Sequence, residues 1–233
     1  MNSGTRITTV AGPAGVIDVA QDRPTGAAVG VAVIAHPHPL FGGTRDNKVV
    51  QTLARALVAL GYSCWRPNFR GVGASEGVHD EGRGETDDLL AVVDAATRDA
   101  SGSTAAGPDA ATRAGASGAE HAPPLLLAGF SFGAFVQSRV AEALAQQGRA
   151  ARGVVLVAPA VSRFSVSTVE ARTLLVHGES DDVVPLAAVF DWARPQQIPV
   201  VVIPGADHFF HGRLPLLKRL VSEWVRGDAH DGP

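Results

Sequence analysis

The stretch Leu125-Leu126-Leu127-Ala128-Gly129-Phe130-Ser131-Phe132-Gly133-Ala134-Phe135-Val136 decides how this chain is read. An apolar run leads through Gly129-Phe130-Ser131-Phe132-Gly133 into residues with helical spacing, the strand, turn and helix context that a G-x-S-x-G nucleophile elbow requires. The turn must be tight enough to hold Ser131 in a sparsely populated backbone conformation, with its hydroxyl above the sheet edge. Gly129 and Gly133 flank it because a side chain at either place would strike a neighbouring strand or the incoming helix. The same turn leaves the amide of Phe132 free at a helix N-terminus, where it can donate to a developing oxyanion.

Outward from this stretch, strand-like and helix-like patterns alternate, which predicts an α/β fold: a mostly parallel sheet of about eight strands with helices on both faces. Arg6 to Val10 and Val16 to Ala20 read as an opening hairpin around Ala11-Gly12-Pro13-Ala14-Gly15. Val29 to Ala35 is a continuous apolar run, as expected of a strand buried on both faces. Asp46 and Asn47 stand where they can cap a helix that carries Val50, Leu53, Leu57 and Leu60 and closes at Gly61. Tyr62 to Arg66, Gly153 to Ala158, Arg172 to Val176 and Pro199 to Ile203 read as strands. Helices are expected near Glu85, after the elbow as far as Gly148, around Asp191 and Trp192, and across Leu217 to Trp224.

At 233 residues with 45% hydrophobic content, the chain is long enough for one large core, and residues 1–233 are read as a single domain. Ser101 to Ala122 stands apart as a run of Gly, Ala, Ser, Thr and Pro, expected to form a mobile surface insertion at 101–122. A net charge of -3, with 20 basic and 23 acidic residues, makes no electrostatic case for nucleic acid or an anionic membrane. Cys64 is the single cysteine and has no internal disulfide partner. No stretch reaches the roughly 20 apolar residues of a spanning helix. A cytoplasmic protein without a membrane partner is expected, its oligomeric state open.

An activated serine needs a base, and the base needs an acid to orient it, on loops at the carboxyl ends of later strands. His177-Gly178-Glu179-Ser180-Asp181-Asp182 follows one such strand, and Pro204-Gly205-Ala206-Asp207-His208-Phe209-Phe210-His211 follows another. His208 is the expected base and Asp181 the expected acid. Asp182 and Glu179 are rivals for the acid and His211 for the base. A second oxyanion donor is expected from His36-Pro37-His38-Pro39-Leu40-Phe41-Gly42-Gly43; since Pro37 and Pro39 have no amide hydrogen, His38 is the first candidate and Leu40 the next. These histidines with His208 and His211 also allow a metal reading, but no carboxylate or cysteine cluster joins them, so neither a metal nor another cofactor is expected.

The chain resembles the α/β-hydrolase superfamily, and closely resembles the small lid-less bacterial hydrolases similar to the dienelactone hydrolase group. The resemblance rests on His36 to Thr44 with Asn47 to Val50 (HPHPxFGGT…NKVV), Asn68 to Gly77 (NFRGVGxSEG), and the GFSFG, HGESDDVVP and GADHFF stretches, from about Val29 to Trp224. It implies Ser131 as nucleophile, Asp181 as acid, His208 as base, and the amides of Phe132 and His38 as oxyanion hole. Dienelactone hydrolases proper carry a cysteine nucleophile, and the 101–122 insertion has no counterpart in the motif set. The interval Pro159 to Ala171 is too short for a cap domain, so an open site is expected, rimmed by Leu40, Phe41, Phe130, Phe164, Phe209 and Phe210. A small-molecule acyl substrate, a carboxylic ester cleaved through an acyl-enzyme, is the favoured reading; a peptidase or thioesterase on the same residues, or a silent binding module, are its alternatives.

Overall fold

A computed structural model describes residues 4–102, 123–169 and 172–227. The expected insertion at 101–122 lies outside the described residues apart from its first two positions. Eight strands form one sheet: β1 (Thr5–Gly12), β2 (Gly15–Asp22), β3 (Gly30–Ala35), β4 (Tyr62–Pro67), β5 (Leu125–Phe130), β6 (Gly153–Val157), β7 (Thr173–Gly178) and β8 (Val200–Ile203). Their spatial order is β1-β2-β4-β3-β5-β6-β7-β8. The pairs β1/β2 and β2/β4 are antiparallel and all others are parallel.

The opening hairpin is longer than the sequence suggests. Pairing runs from Thr5 opposite Asp22 to Gly12 opposite Gly15, leaving only Pro13-Ala14 as the connection. Gly15 closes this turn at φ 118°, a conformation that residues with a side chain rarely adopt, and the ladder therefore continues where strand propensity is weak.

Among the described residues five helices cover the sheet: α1 (Lys48–Val58), α2 (Arg83–Ala100), α3 (Phe132–Gln146), α4 (Leu186–Ala193) and α5 (Leu214–Gly227). Because side chains alternate along a strand, Ala32 and Ile34 enter one core with α1 and α5, whereas Val31, Val33 and Ala35 enter the other with α2 and α3. Burial on both faces is why β3 reads as an unbroken apolar run. The Asn47 side chain caps α1 by accepting from the Val49 amide at 2.8 Å. Glu85 caps α2 from inside, accepting from the amides of Gly82 (2.8 Å) and Asp80 (2.9 Å).

β3 leads through α1 to β4 on one side, and β4 leads through α2 back past β3 to β5 on the other, so the order reverses between β3 and β5 and opens a crevice beyond their carboxyl ends. Loops bordering it are tied down by buried charge. Arg66 pairs with Asp22 at 2.7 Å, both 1% exposed, and donates to the carbonyl oxygen of Arg45 at 2.8 Å. Asp18 pairs with Arg45 and accepts from Asn68 Nδ2 at 3.1 Å, while Asn68 accepts from the Arg45 amide at 3.0 Å. His36 joins the two motif loops: its Nδ1 donates to Pro37 O (2.6 Å) and its Nε2 accepts from the Phe69 amide (2.9 Å). Burial pushes its pKa down to about 4. Among the described residues, no helix or strand interrupts the passage from β6 to β7, where a cap would sit, and no helix is long and apolar enough to cross a membrane.

Candidate active site

Ser131 is the N-cap residue of α3, at φ 56° and ψ −117°. Such a conformation costs a non-glycine residue on the order of 1–3 kcal/mol and persists only where the surroundings over-determine it. A Cβ on Gly129 would stand 2.4 Å from Gly133 O, and one on Gly133 would stand 2.4 Å from Ala35 O. Glycines at these two positions therefore let β5, the turn and α3 close against β3. The Ser131 amide donates to Val157 O at 2.9 Å, anchoring the elbow to β6.

The elbow faces the loops after β7 and β8. Ser131 Oγ lies 3.0 Å from His208 Nε2, and His208 Nδ1 lies 2.7 Å from Asp181 Oδ2. A carboxylate only accepts, so Nδ1 carries the proton and the Nε2 lone pair is left facing the serine hydroxyl. Asp181 Oδ1 accepts from the amides of Val183 (2.9 Å) and Val184 (2.7 Å). Burial alone would raise the Asp181 carboxyl, but the hydrogen bond from His208 and those from the two amides outweigh it and hold the group below its ordinary range. Phe130 lies 5.0 Å below the His208 ring and Phe209 stands edge-on at 5.2 Å, fixing its orientation.

The rivals are engaged elsewhere. Glu179 accepts from the Gly205 amide at 2.8 Å, and His211 is exposed and bonds Asp207 at 2.6 Å. Asp182 is exposed. His177, behind the acid at 3.5 Å, donates from Nε2 to Val184 O; burial lowers its pKa, which keeps it a neutral neighbour. The histidines of the two loops do not converge as a donor set: among the described residues no group of three or more His, Cys, Asp or Glu is placed to hold a metal ion.

Neither the Phe132 amide nor the His38 amide has an acceptor among the described residues. Leu40, the alternative donor, already gives its amide to His38 Nδ1 at 3.3 Å. His38 lines the same cleft as Ser131 and His208, and the Phe132 amide stands next to Ser131 at the amino end of α3. The His38 ring is half-buried, and its pKa is lowered by burial first and then by the neighbouring His79 and Arg163.

The cleft has a volume of about 390 Å³ and is lined by the apolar Phe41, Val183 and Phe209 and the polar Asn47 and Arg163. Four expected rim residues, Leu40, Phe130, Phe164 and Phe210, lie outside the cleft lining. Phe130 is 0% exposed because, as the last residue of β5, it alternates with Leu126 and Ala128 onto the α1/α5 face and lies under His208. Phe210, at φ 56°, turns its ring into the same core. Leu40 is 70% exposed but lies outside the cleft lining, since the short 3₁₀ turn Pro39–Phe41 directs Phe41 toward the cleft instead. Phe164 is half-buried and stacks on Phe135 at 4.7 Å. Val183 and Arg163 were not anticipated; their signal was position, one just after the acid and the other in the loop following β6, both at carboxyl ends of strands.

No family model matches the chain. A lid-less α/β serine hydrolase from Xanthomonas campestris superposes with a TM-score of 0.82 at 34% identity, covering 100% of this chain and 99% of the other. An α/β serine hydrolase homologue from Coxiella burnetii gives a TM-score of 0.79 at 36% identity over 96% of this chain and 98% of its own. An uncharacterized protein of Rickettsia prowazekii is 29% identical over 92% of this chain and 86% of its own length. With two solved relatives above 30% identity over nearly its whole length, the chain belongs to the α/β-hydrolase superfamily.

Proposed function

We propose that this chain is a serine hydrolase that cleaves small carboxylic esters through an acyl-enzyme. The observation that carries this reading is the continuous contact from Ser131 Oγ through His208 to Asp181, beside two amides without partners. His208 Nε2 takes the serine proton as Oγ attacks the ester carbonyl carbon. The imidazolium so formed is held by Asp181, which stays ionised. The carbonyl oxygen, now an alkoxide, accepts from the amides of His38 and Phe132. Collapse expels the alcohol, which receives the proton from Nε2, and water repeats the sequence on the acyl-enzyme. An open cleft of about 390 Å³ suits a small or flexible acyl group better than a fully enclosed lipid.

Intact-mass analysis after incubation with a fluorophosphonate tests the reading. One adduct on the wild type and none on Ser131→Ala is expected, because only an activated serine is nucleophilic at neutral pH. A folded wild type that takes no adduct would remove the hydrolase reading.

A further inference from the structure

Arg163 has no role in the chemistry described above, yet it lines the same cleft as Ser131 and His208. It sits in the turn after β6, where the amides of both Arg163 and Phe164 donate to Ala160 O at 3.1 Å. Phe164 anchors that turn on α3 by stacking against Phe135. The guanidinium lies 6.0 Å above the exposed Phe41 ring and forms no ion pair among the described residues. Among the described residues no Asp or Glu lines the cleft, and Arg163 is the one lining residue with a permanent charge. The amino end of α3 adds potential of the same sign at Ser131. Asp181, the nearby carboxylate, is engaged by His208 and two amides, so the cation in the lining favours a ligand that brings a negative charge.

Position within the cleft says which part of the ligand is charged. The leaving oxygen must face His208 to collect its proton, and the carbonyl oxygen must face the amides of His38 and Phe132. The acyl chain takes the remaining direction, along the cleft that Arg163 lines with its guanidinium over the Phe41 ring. We propose that Arg163 selects esters whose acyl chain carries a carboxylate, that is, half-esters of dicarboxylic acids. This rests on the serine hydrolase reading above.

The test compares kcat/KM for mono-4-nitrophenyl adipate and for the 4-nitrophenyl ester of monomethyl adipate, which differ only in the distal charge. A third substrate, 4-acetoxybenzoate, carries the charge on the leaving group. The adipate chain is long enough to keep intramolecular self-cleavage slow. Wild type is expected to prefer the anionic adipate to its methyl ester by about fivefold at low salt, the range of one exposed charge pair, and the preference should fade at high salt. Arg163→Gln should abolish that preference and Arg163→Glu should invert it, with fluorophosphonate labelling of Ser131 confirming that each variant retains an assembled site. An equal substrate ratio in wild type and Arg163→Gln would overturn the proposal while leaving the hydrolase reading intact. A response to Arg163→Gln confined to 4-acetoxybenzoate would overturn the acyl placement. Failure of the wild type both to label and to turn over any of the three esters would remove the hydrolase reading, and this proposal with it.

Discussion

The rings of His38 and Phe132 lie 4.8 Å apart, so the two residues proposed to supply the oxyanion amides are clamped to each other through their side chains. Loop and helix are thereby held in register without any hydrogen bond between their backbones. Pre-set donors of this kind stabilise charge without reorganising during the reaction.

Substitution of His38 separates amide from ring. His38 has φ −53°, close to the value proline imposes, and its carbonyl, which accepts from Phe41 and Gly43, is retained in proline. His38→Pro deletes the amide hydrogen, whereas His38→Asn keeps it, and both lose the ring. His38→Pro is expected to lower kcat by about 10²- to 10³-fold relative to His38→Asn, the usual effect of losing one oxyanion donor. Equal kcat in the two variants would move the second donor elsewhere.

The acid is tested by its neighbours. Asp181 accepts from His208 on one oxygen and from two amides on the other, whereas Asp182 is exposed and Glu179 bonds a loop amide. Asp181→Asn should reduce kcat by roughly 10⁴-fold, because the amide cannot hold the productive histidine tautomer or stabilise the imidazolium. Asp182→Asn should keep kcat within about twofold of wild type, as expected of a surface change. Steady-state kinetics on a nitrophenyl ester read both, and a larger loss at Asp182 would reverse the assignment.

The elbow and the order of elements were legible in the sequence because both depend on local rules: glycines where backbones touch, apolar runs where strands are buried on both faces. The acid was legible as a loop, and within it Asp181 was named with Asp182 and Glu179 as rivals. Choosing Asp181 over Asp182 and Glu179 depends on side-chain direction across a turn, which periodicity does not encode. The rim failed at Phe130 for a related reason. Its neighbour Ser131 leaves the sheet, but Phe130 still obeys strand alternation and is carried into the core. Arg163 was invisible because its partners, Phe41 and the cleft, come from a distant part of the chain.

Buried charge should set much of the stability around the site. Arg66 and Asp22 are each 1% exposed, and Arg66 also donates to the Arg45 carbonyl. Asp22→Ala leaves the guanidinium buried without its counter-charge, at a cost of about 3–5 kcal/mol. Urea unfolding should show that loss as a lower midpoint with an unchanged slope. A shift worth less than about 1 kcal/mol would mean that water or Asp46, 3.3 Å from Arg66, takes over the pairing.

Acid should weaken the fold before it protonates the carboxylates, through His36. Its Nε2 already accepts from the Phe69 amide, so protonation would set two donors against each other in a site with no exposure to water. Burial accordingly lowers its pKa from 6.5 to about 4. Between those values the unfolded chain binds a proton that the folded chain does not, so this contribution is complete above about pH 6.5 and declines toward pH 4. The shift corresponds to a loss of about 3 kcal/mol at most. His38 and His177, whose pKa values are also lowered by burial, act with the same sign. His36→Gln keeps an acceptor for the Phe69 amide without titrating; its stability should be lower at neutral pH but fall less steeply on acidification. Urea midpoints measured from pH 7.5 to 4 in both proteins decide the matter: parallel curves would assign the acid sensitivity to other groups, and a flatter variant curve would assign it to the histidine that joins the two motif loops.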